Sequence, residues 1–132
     1  MMFRVATLAL FFCLSVPIPA ANDVSLASPD GRIQFRLSLD DKGSLQYSVT
    51  FRQKPVIESS ALGISVDGVN LGEGVEIGKA DPYKVNETYP WNGGKSTAVD
   101  NCNGVKIAMT HRQSRTAYTL EVRAYDDGIA FR

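Results

Sequence analysis

Two pairs of adjacent carboxylates, Asp40-Asp41 and Asp126-Asp127, are the side chains best suited by type to acid–base chemistry. Hydrolysis of a glycosidic bond, for example, needs two carboxyl groups facing one substrate at a fixed separation. Each pair, however, sits in a Gly-containing turn, where Asp is favoured because its side chain bonds to nearby backbone. Adjacent residues on extended backbone also point to opposite faces. Both pairs therefore read as turn residues, and no catalytic residue is assigned.

His111 is the only histidine, and its neighbours Thr110 and Arg112 are polar, so it reads as a solvated residue at a strand end. One histidine and one nearby-chain cysteine, Cys102, fall short of a zinc ligand set, and no metal residue is assigned. There is no nucleophile elbow, phosphate loop or EF-type calcium loop. Trp91 stands in a Gly-rich stretch, Tyr89-Pro90-Trp91-Asn92-Gly93-Gly94-Lys95. An aromatic ring there offers an apolar face on which a pyranose can lie, with polar neighbours for its hydroxyls. Trp91 is the candidate substrate-binding residue; its competing role is to fasten the loop to the domain. Asn86-Glu87-Thr88 fits an N-glycosylation acceptor, which has meaning only in a eukaryote.

The elements that must carry these residues show a period of two. Ile33, Phe35, Leu37 and Leu39 alternate with polar residues, Asp40-Asp41-Lys42-Gly43 supplies turn chemistry, and Leu45, Tyr47, Val49 and Phe51 alternate again. This pattern predicts a β-hairpin with one buried face. Leu62, Ile64 and Val66 predict a short strand ended by Asp67-Gly68, and Val75 with Ile77 starts another. Residues 105–109 and 118–125 alternate in the same way, and Asp126-Asp127-Gly128 reads as a hairpin turn. The stretch from Asn86 to Asn103 loses the rhythm and reads as a long loop pinned by Trp91, with Ser96 to Asp100 as a short strand. Short strands punctuated by Gly, Asn and Asp point to an antiparallel sandwich or barrel.

The first residues differ from the rest. Arg4, the apolar run Val5 to Val16 and the close Pro17-Ile18-Pro19-Ala20-Ala21 match a secretory signal peptide over residues 1–21. A spanning helix wants about 20 apolar residues, and the prolines come too early for one. Cleavage leaves residues 22–132, destined for the periplasm or beyond, with no membrane segment and with Cys102 as a free thiol. Fourteen basic and fourteen acidic residues cancel, so a nucleic-acid partner has no basic patch to hold it.

Several segments resemble the start of glycoside hydrolase family 97 proteins. They are Ser28-Pro29-Asp30-Gly31-Arg32-Ile33, Leu45-Gln46-Tyr47-Ser48-Val49, Pro55-Val56-Ile57-Glu58 and Ser60-Ala61-Leu62-Gly63-Ile64. Val85-Asn86-Glu87-Thr88-Tyr89 with Gly94-Lys95-Ser96 follows, then Arg123-Ala124-Tyr125-Asp126-Asp127-Gly128-Ile129-Ala130-Phe131-Arg132. The resemblance implies an all-β, antiparallel β-super-sandwich similar to the galactose mutarotase fold, placed before a catalytic (β/α)-barrel. In the full-length protein that barrel would hydrolyse α-glucosides or α-galactosides with acidic residues and a calcium ion. No segment here matches those residues, so no cofactor is expected in residues 22–132 themselves.

Ile129 to Arg132 opens an alternating strand at the last residue, so the sequence is expected to be a cut piece with the sandwich incomplete and the barrel missing. Its role would be to bind carbohydrate or support the active-site rim. A free-standing carbohydrate-binding or structural envelope sandwich is the rival reading. With no internal disulfide, residues 22–132 alone are expected to be marginal unless a facing sheet covers Ile33, Phe35, Tyr47, Val49, Leu120 and Val122.

Overall fold

The computed structural model describes residues 23–94 and 96–132; the leader read at residues 1–21 lies outside them. The described residues form ten strands and no helix. Strands β1 (Val24–Ala27), β2 (Ile33–Leu39), β3 (Leu45–Phe51) and β4 (Lys54–Ala61) make one antiparallel sheet in chain order. Strands β5 (Ser65–Val66) and β6 (Val69–Asn70) form a small ribbon. Strands β7 (Val75–Pro90), β8 (Thr97–His111), β9 (Thr116–Tyr125) and β10 (Gly128–Phe131) make a second antiparallel sheet, ordered β10-β9-β8-β7. The architecture is the all-β sandwich that the alternation predicts.

The inner faces of the two sheets share one core. Ile33, Phe35, Leu37, Leu45 and Val49 from the first sheet meet Val75, Ile77, Val105, Ile107, Met109, Leu120 and Val122 from the second. The chain thus supplies its own facing sheet. Of the six side chains that need covering, five are buried and Tyr47 packs against the same cluster, half-buried. Asn103 Nδ2 donates to the Ala27 carbonyl at 2.9 Å and ties β8 to β1 across the layers. Cys102 is free and buried.

Three elements differ from the sequence reading. The long loop expected from Asn86 to Asn103 is instead the outer half of a hairpin: β7 runs to Pro90 and β8 starts at Thr97, paired as far as Pro90↔Thr97. Its alternation is hidden because this half extends past the core, where neither face carries an apolar row. The pairing also slips by one residue between Ile77 and Ala80, so a β-bulge sits at Gly78-Lys79 and the faces of β7 change places. The second difference is β4, an edge strand too exposed to alternate. Pro55 is compatible with it for the same reason, as are Pro82 and Pro90 with edge strand β7. Third, the short strand read over residues 62–66 is a ribbon that reverses at Asp67-Gly68, where φ is 50° and 80°. Two positive φ values in a two-residue loop give the turn whose twist suits a hairpin.

Ile107, fully buried between the sheets, gives a direct test of this core. Ile107→Ala should lose about 2–5 kcal/mol of unfolding free energy, whereas Val56→Ala, at an exposed edge position, should stay within about 0.5 kcal/mol. Urea titrations of both variants would measure this, and equal losses would mean that the two sheets do not close on one another as described.

Candidate functional site

The carboxylate pairs behave as structural turns. Asp40 Oδ1 accepts hydrogen bonds from the backbone N–H of Lys42 (2.9 Å) and Ser44 (2.8 Å), closing the β2–β3 turn. The Ser44 bond is the main reason its carboxyl titrates below the usual range. Asp126, in the two-residue β9–β10 turn, accepts from the N–H of Asp30 at 2.9 Å. Asp30 in turn accepts from Arg32 N–H at 2.9 Å and Ser28 Oγ at 2.7 Å, which lowers its pKa to about 2. The β1–β2 turn is thus fastened to the opposite sheet. Neither pair converges on a substrate-sized space with both carboxyls free.

His111 departs from the solvated position expected of it: it is only 5% exposed. Its Nδ1 accepts from the Ser114 N–H at 3.2 Å and lies 2.6 Å from Ser114 Oγ, which is 2.7 Å from Thr116 Oγ1. The backbone N–H already occupies the Nδ1 lone pair, so the histidine ties the β8–β9 turn. Alternation on β8 points residue 111 inward with Met109 and Ile107, which is why it is buried.

The densest polar arrangement lies on the outer face of the second sheet, on residues that the sequence did not mark. Beyond the bulge, Tyr83 of β7 turns outward and its ring lies over Gly104 of β8. A Cβ added at Gly104 would sit 2.2 Å from the ring, so only glycine admits this approach. The Tyr83 hydroxyl donates to Glu121 Oε1 and accepts from Arg123 Nε at 3.0 Å. Arg132 Nε donates to Glu121 Oε2 at 2.7 Å, and an Arg123 nitrogen lies 3.5 Å from Asp100 Oδ2. Lys106 Nζ and Arg123 Cζ lie 5.8 Å and 5.9 Å from the Tyr83 ring centroid, in cation–π range. Asp100 Oδ1 is buried with no hydrogen-bond partner among the described residues.

Chemically this cluster is locked. Hydrogen bonds from Tyr83, then Arg132, hold Glu121 at a pKa of about 2, so it stays ionised and has no proton to give a leaving group. Burial, followed by the bond to Glu121, raises the Tyr83 pKa. Burial also raises the Cys102 thiol, away from the reactive thiolate. The only sequence signals for this cluster were polar residues on the outward positions of β9, which a solvated face would share.

Trp91 stands at the tip of the β7–β8 hairpin, 57% exposed, with Tyr89 edge-on to it at 6.4 Å between centroids. It does not fasten the hairpin to the sandwich core. Its backbone N–H donates to the Ser96 carbonyl at 3.1 Å and joins the two sides of the hairpin. As for metals, no three His, Cys, Asp or Glu side chains among the described residues form a group that could hold an ion.

A family model described as glycosyl-hydrolase 97 N-terminal matches residues 26–132, and the chain belongs to this family. It is 26% identical over 133 residues to a retaining alpha-galactosidase of Bacteroides thetaiotaomicron, covering 99% of this chain and 19% of that protein. It is 30% identical over 135 residues to a probable retaining alpha-galactosidase of Streptomyces bingchenggensis, covering 96% and 21%. Among solved structures it is similar to a glycoside hydrolase family 97 enzyme from Pseudoalteromonas sp. strain K8 in complex with acarbose. That match has a TM-score of 0.73 and 28% identity, over 82% of this chain and 17% of the other. The chain spans about a fifth of the length of the relatives it matches.

Two predictions follow from the outer-face cluster. Glu121 has a folded pKa below its ordinary 4.5, so its stabilising contribution is complete above pH 4.5 and fades as pH falls toward about 2. Glu121→Gln should lower the melting temperature at pH 7 and flatten its decline between pH 4.5 and 2; an unchanged acid slope would show that Glu121 is not the group being titrated. Gly104→Ala should destabilise by about 1–3 kcal/mol through overpacking against Tyr83, and Tyr83→Ala in the same chain should recover part of that loss. Additive losses in the double variant would rule out the ring-over-glycine contact.

Proposed function

We propose that this chain is the non-catalytic N-terminal β-sandwich portion of an exported α-glycosidase. Hydrolysis of α-glucosides or α-galactosides would belong to the full-length protein, with its acids and its calcium ion held by a barrel outside the described residues. Family membership over residues 26–132 supports this reading. The observation that carries it is the state of the carboxylates. Asp40 and Asp126 are engaged in turns, and Glu121 is held ionised by Tyr83 and Arg132. A glycosidase acid must be protonated at working pH and face a second carboxyl across the sugar, and none of these three is free to do so.

The role left to the sandwich is positioning. A rigid two-sheet body can pack on a catalytic domain and hold the β7–β8 hairpin, with Trp91 at its tip, near the rim where an oligosaccharide enters. Residues 1–21 would direct export to the periplasm and be removed.

The purified chain should release no product from aryl α-glucosides or aryl α-galactosides, with or without added calcium. Turnover that follows the chain through purification and disappears in Asp126→Asn or Glu121→Gln would overturn the assignment of catalysis to another domain.

A further inference from the structure

We infer that the tip of the β7–β8 hairpin is a preorganised stacking platform for a neutral pyranose ring of an oligosaccharide, with Trp91 as the contacting side chain. This deepens the glycosidase reading above and rests on it for the class of ligand. Three observations carry it. The indole is 57% exposed at the end of a hairpin whose outer half leaves the core, and Tyr89, 44% exposed, stands beside it at an interplanar angle of 70°. The tip therefore presents two large aromatic rings to the outside, where an isolated structural tryptophan would be covered.

The indole is also braced. A Cβ on Gly93 would fall 2.8 Å from Trp91 Nε1 and 2.9 Å from Cδ1, so the five-membered side of the ring rests against the Gly93 backbone and a larger residue there would push the ring aside. The bond from the Trp91 backbone N–H to the Ser96 carbonyl ties the two sides of the hairpin beneath it. Tyr89 beside the ring and Gly93 against its five-membered side hold it while more than half of the residue stays exposed. A ring already held in place loses little freedom on binding, which is how a small apolar contact yields measurable affinity.

Charge narrows the occupant. From Thr88 to Val99 the only charged residue is Lys95, while Asn92, Ser96 and Thr97 are uncharged and polar. An anionic polymer or a highly charged protein face finds little here to hold it, whereas a sugar combines an apolar C–H face with hydroxyls at its edge and suits an aromatic plane rimmed by amides and hydroxyls.

Trp91 is the sequence's only tryptophan, so its fluorescence reports this site alone. The full chain, titrated with panose and separately with an α-galactosyl trisaccharide, should show a saturable emission change with a Kd on the order of 1 mM; sorbitol at equal concentration should give none. Gly93→Ala, which keeps the reporter but unseats the ring, should weaken binding about fivefold, the effect of freeing one side chain. Trp91→Ala, followed by ligand line-broadening in NMR, should abolish it while the melting temperature stays that of the parent. Three results would overturn the inference: no saturable change in a folded chain, undiminished binding by Trp91→Ala, or an emission that shifts with protein concentration and ignores sugar, which would make the tip a contact between copies. Each leaves the absence of hydrolysis, and hence the broader assignment, standing. Hydrolysis by the chain would instead strike the broader assignment and leave the platform untouched.

Discussion

One extra residue in β7 governs how this sandwich relates to its surroundings. Below the bulge at Gly78-Lys79, Val75 and Ile77 face the core opposite His111 and Met109; above it the pairing resumes at Ala80↔Ile107 with the faces exchanged. Without the slip, Tyr83 would point into the layer that Val105 and Val122 already fill. With it, the ring turns outward and finds a place over Gly104, where its hydroxyl reaches Glu121 and Arg123. A bulge also strengthens local twist, which suits a hairpin that leaves the sandwich and carries Trp91 away from the core. Buried packing, the charged outer face and the exposed tip thus share one backbone irregularity.

The outer face illustrates how charge can be kept beside a sheet without becoming reactive. Glu121, mostly buried, receives bonds from a phenol and from a guanidinium, and a second guanidinium lies 3.5 Å away. Every one of these partners favours the carboxylate over the acid. Removing one partner from such a group leaves an uncompensated charge with little access to water, which is destabilising. Arg123 and Arg132 bound the segment that resembles the family's start, and within it Asp126 binds the β1–β2 turn while the arginines brace the adjoining face.

Much of this was legible from the residues. Period-two runs located β2, β3 and β9 and named most of the core, because those strands bury one face and solvate the other. Asp40 bonds to the backbone of its own turn, as Asp in a Gly-containing reversal is expected to, whereas the Asp126 carboxylate accepts from the distant N–H of Asp30, which no local pattern shows. What failed was every place where burial and alternation part company. Strand β4 and the far half of β7 are exposed on both faces, so they carry no apolar row, and the bulge breaks the count at Ile77. His111 looked solvated from its neighbours, although its parity with Ile107 and Met109 pointed inward. The Tyr83–Glu121–Arg123 cluster needed residues brought together from separate strands across a bulge, and no local pattern encodes that. Trp91 was picked out by its glycines, one of which, Gly93, proves to touch it.

The prolines give the two sheets a direction. Each sheet has one outer strand that contains proline, β4 with Pro55 and β7 with Pro82 and Pro90, and one that contains none, β1 and β10. A proline denies its edge a backbone donor, so a strand arriving from another molecule meets an interrupted row on one side and a continuous one on the other. Strand addition is therefore opposed along the β4 and β7 borders, the two outer strands that carry proline.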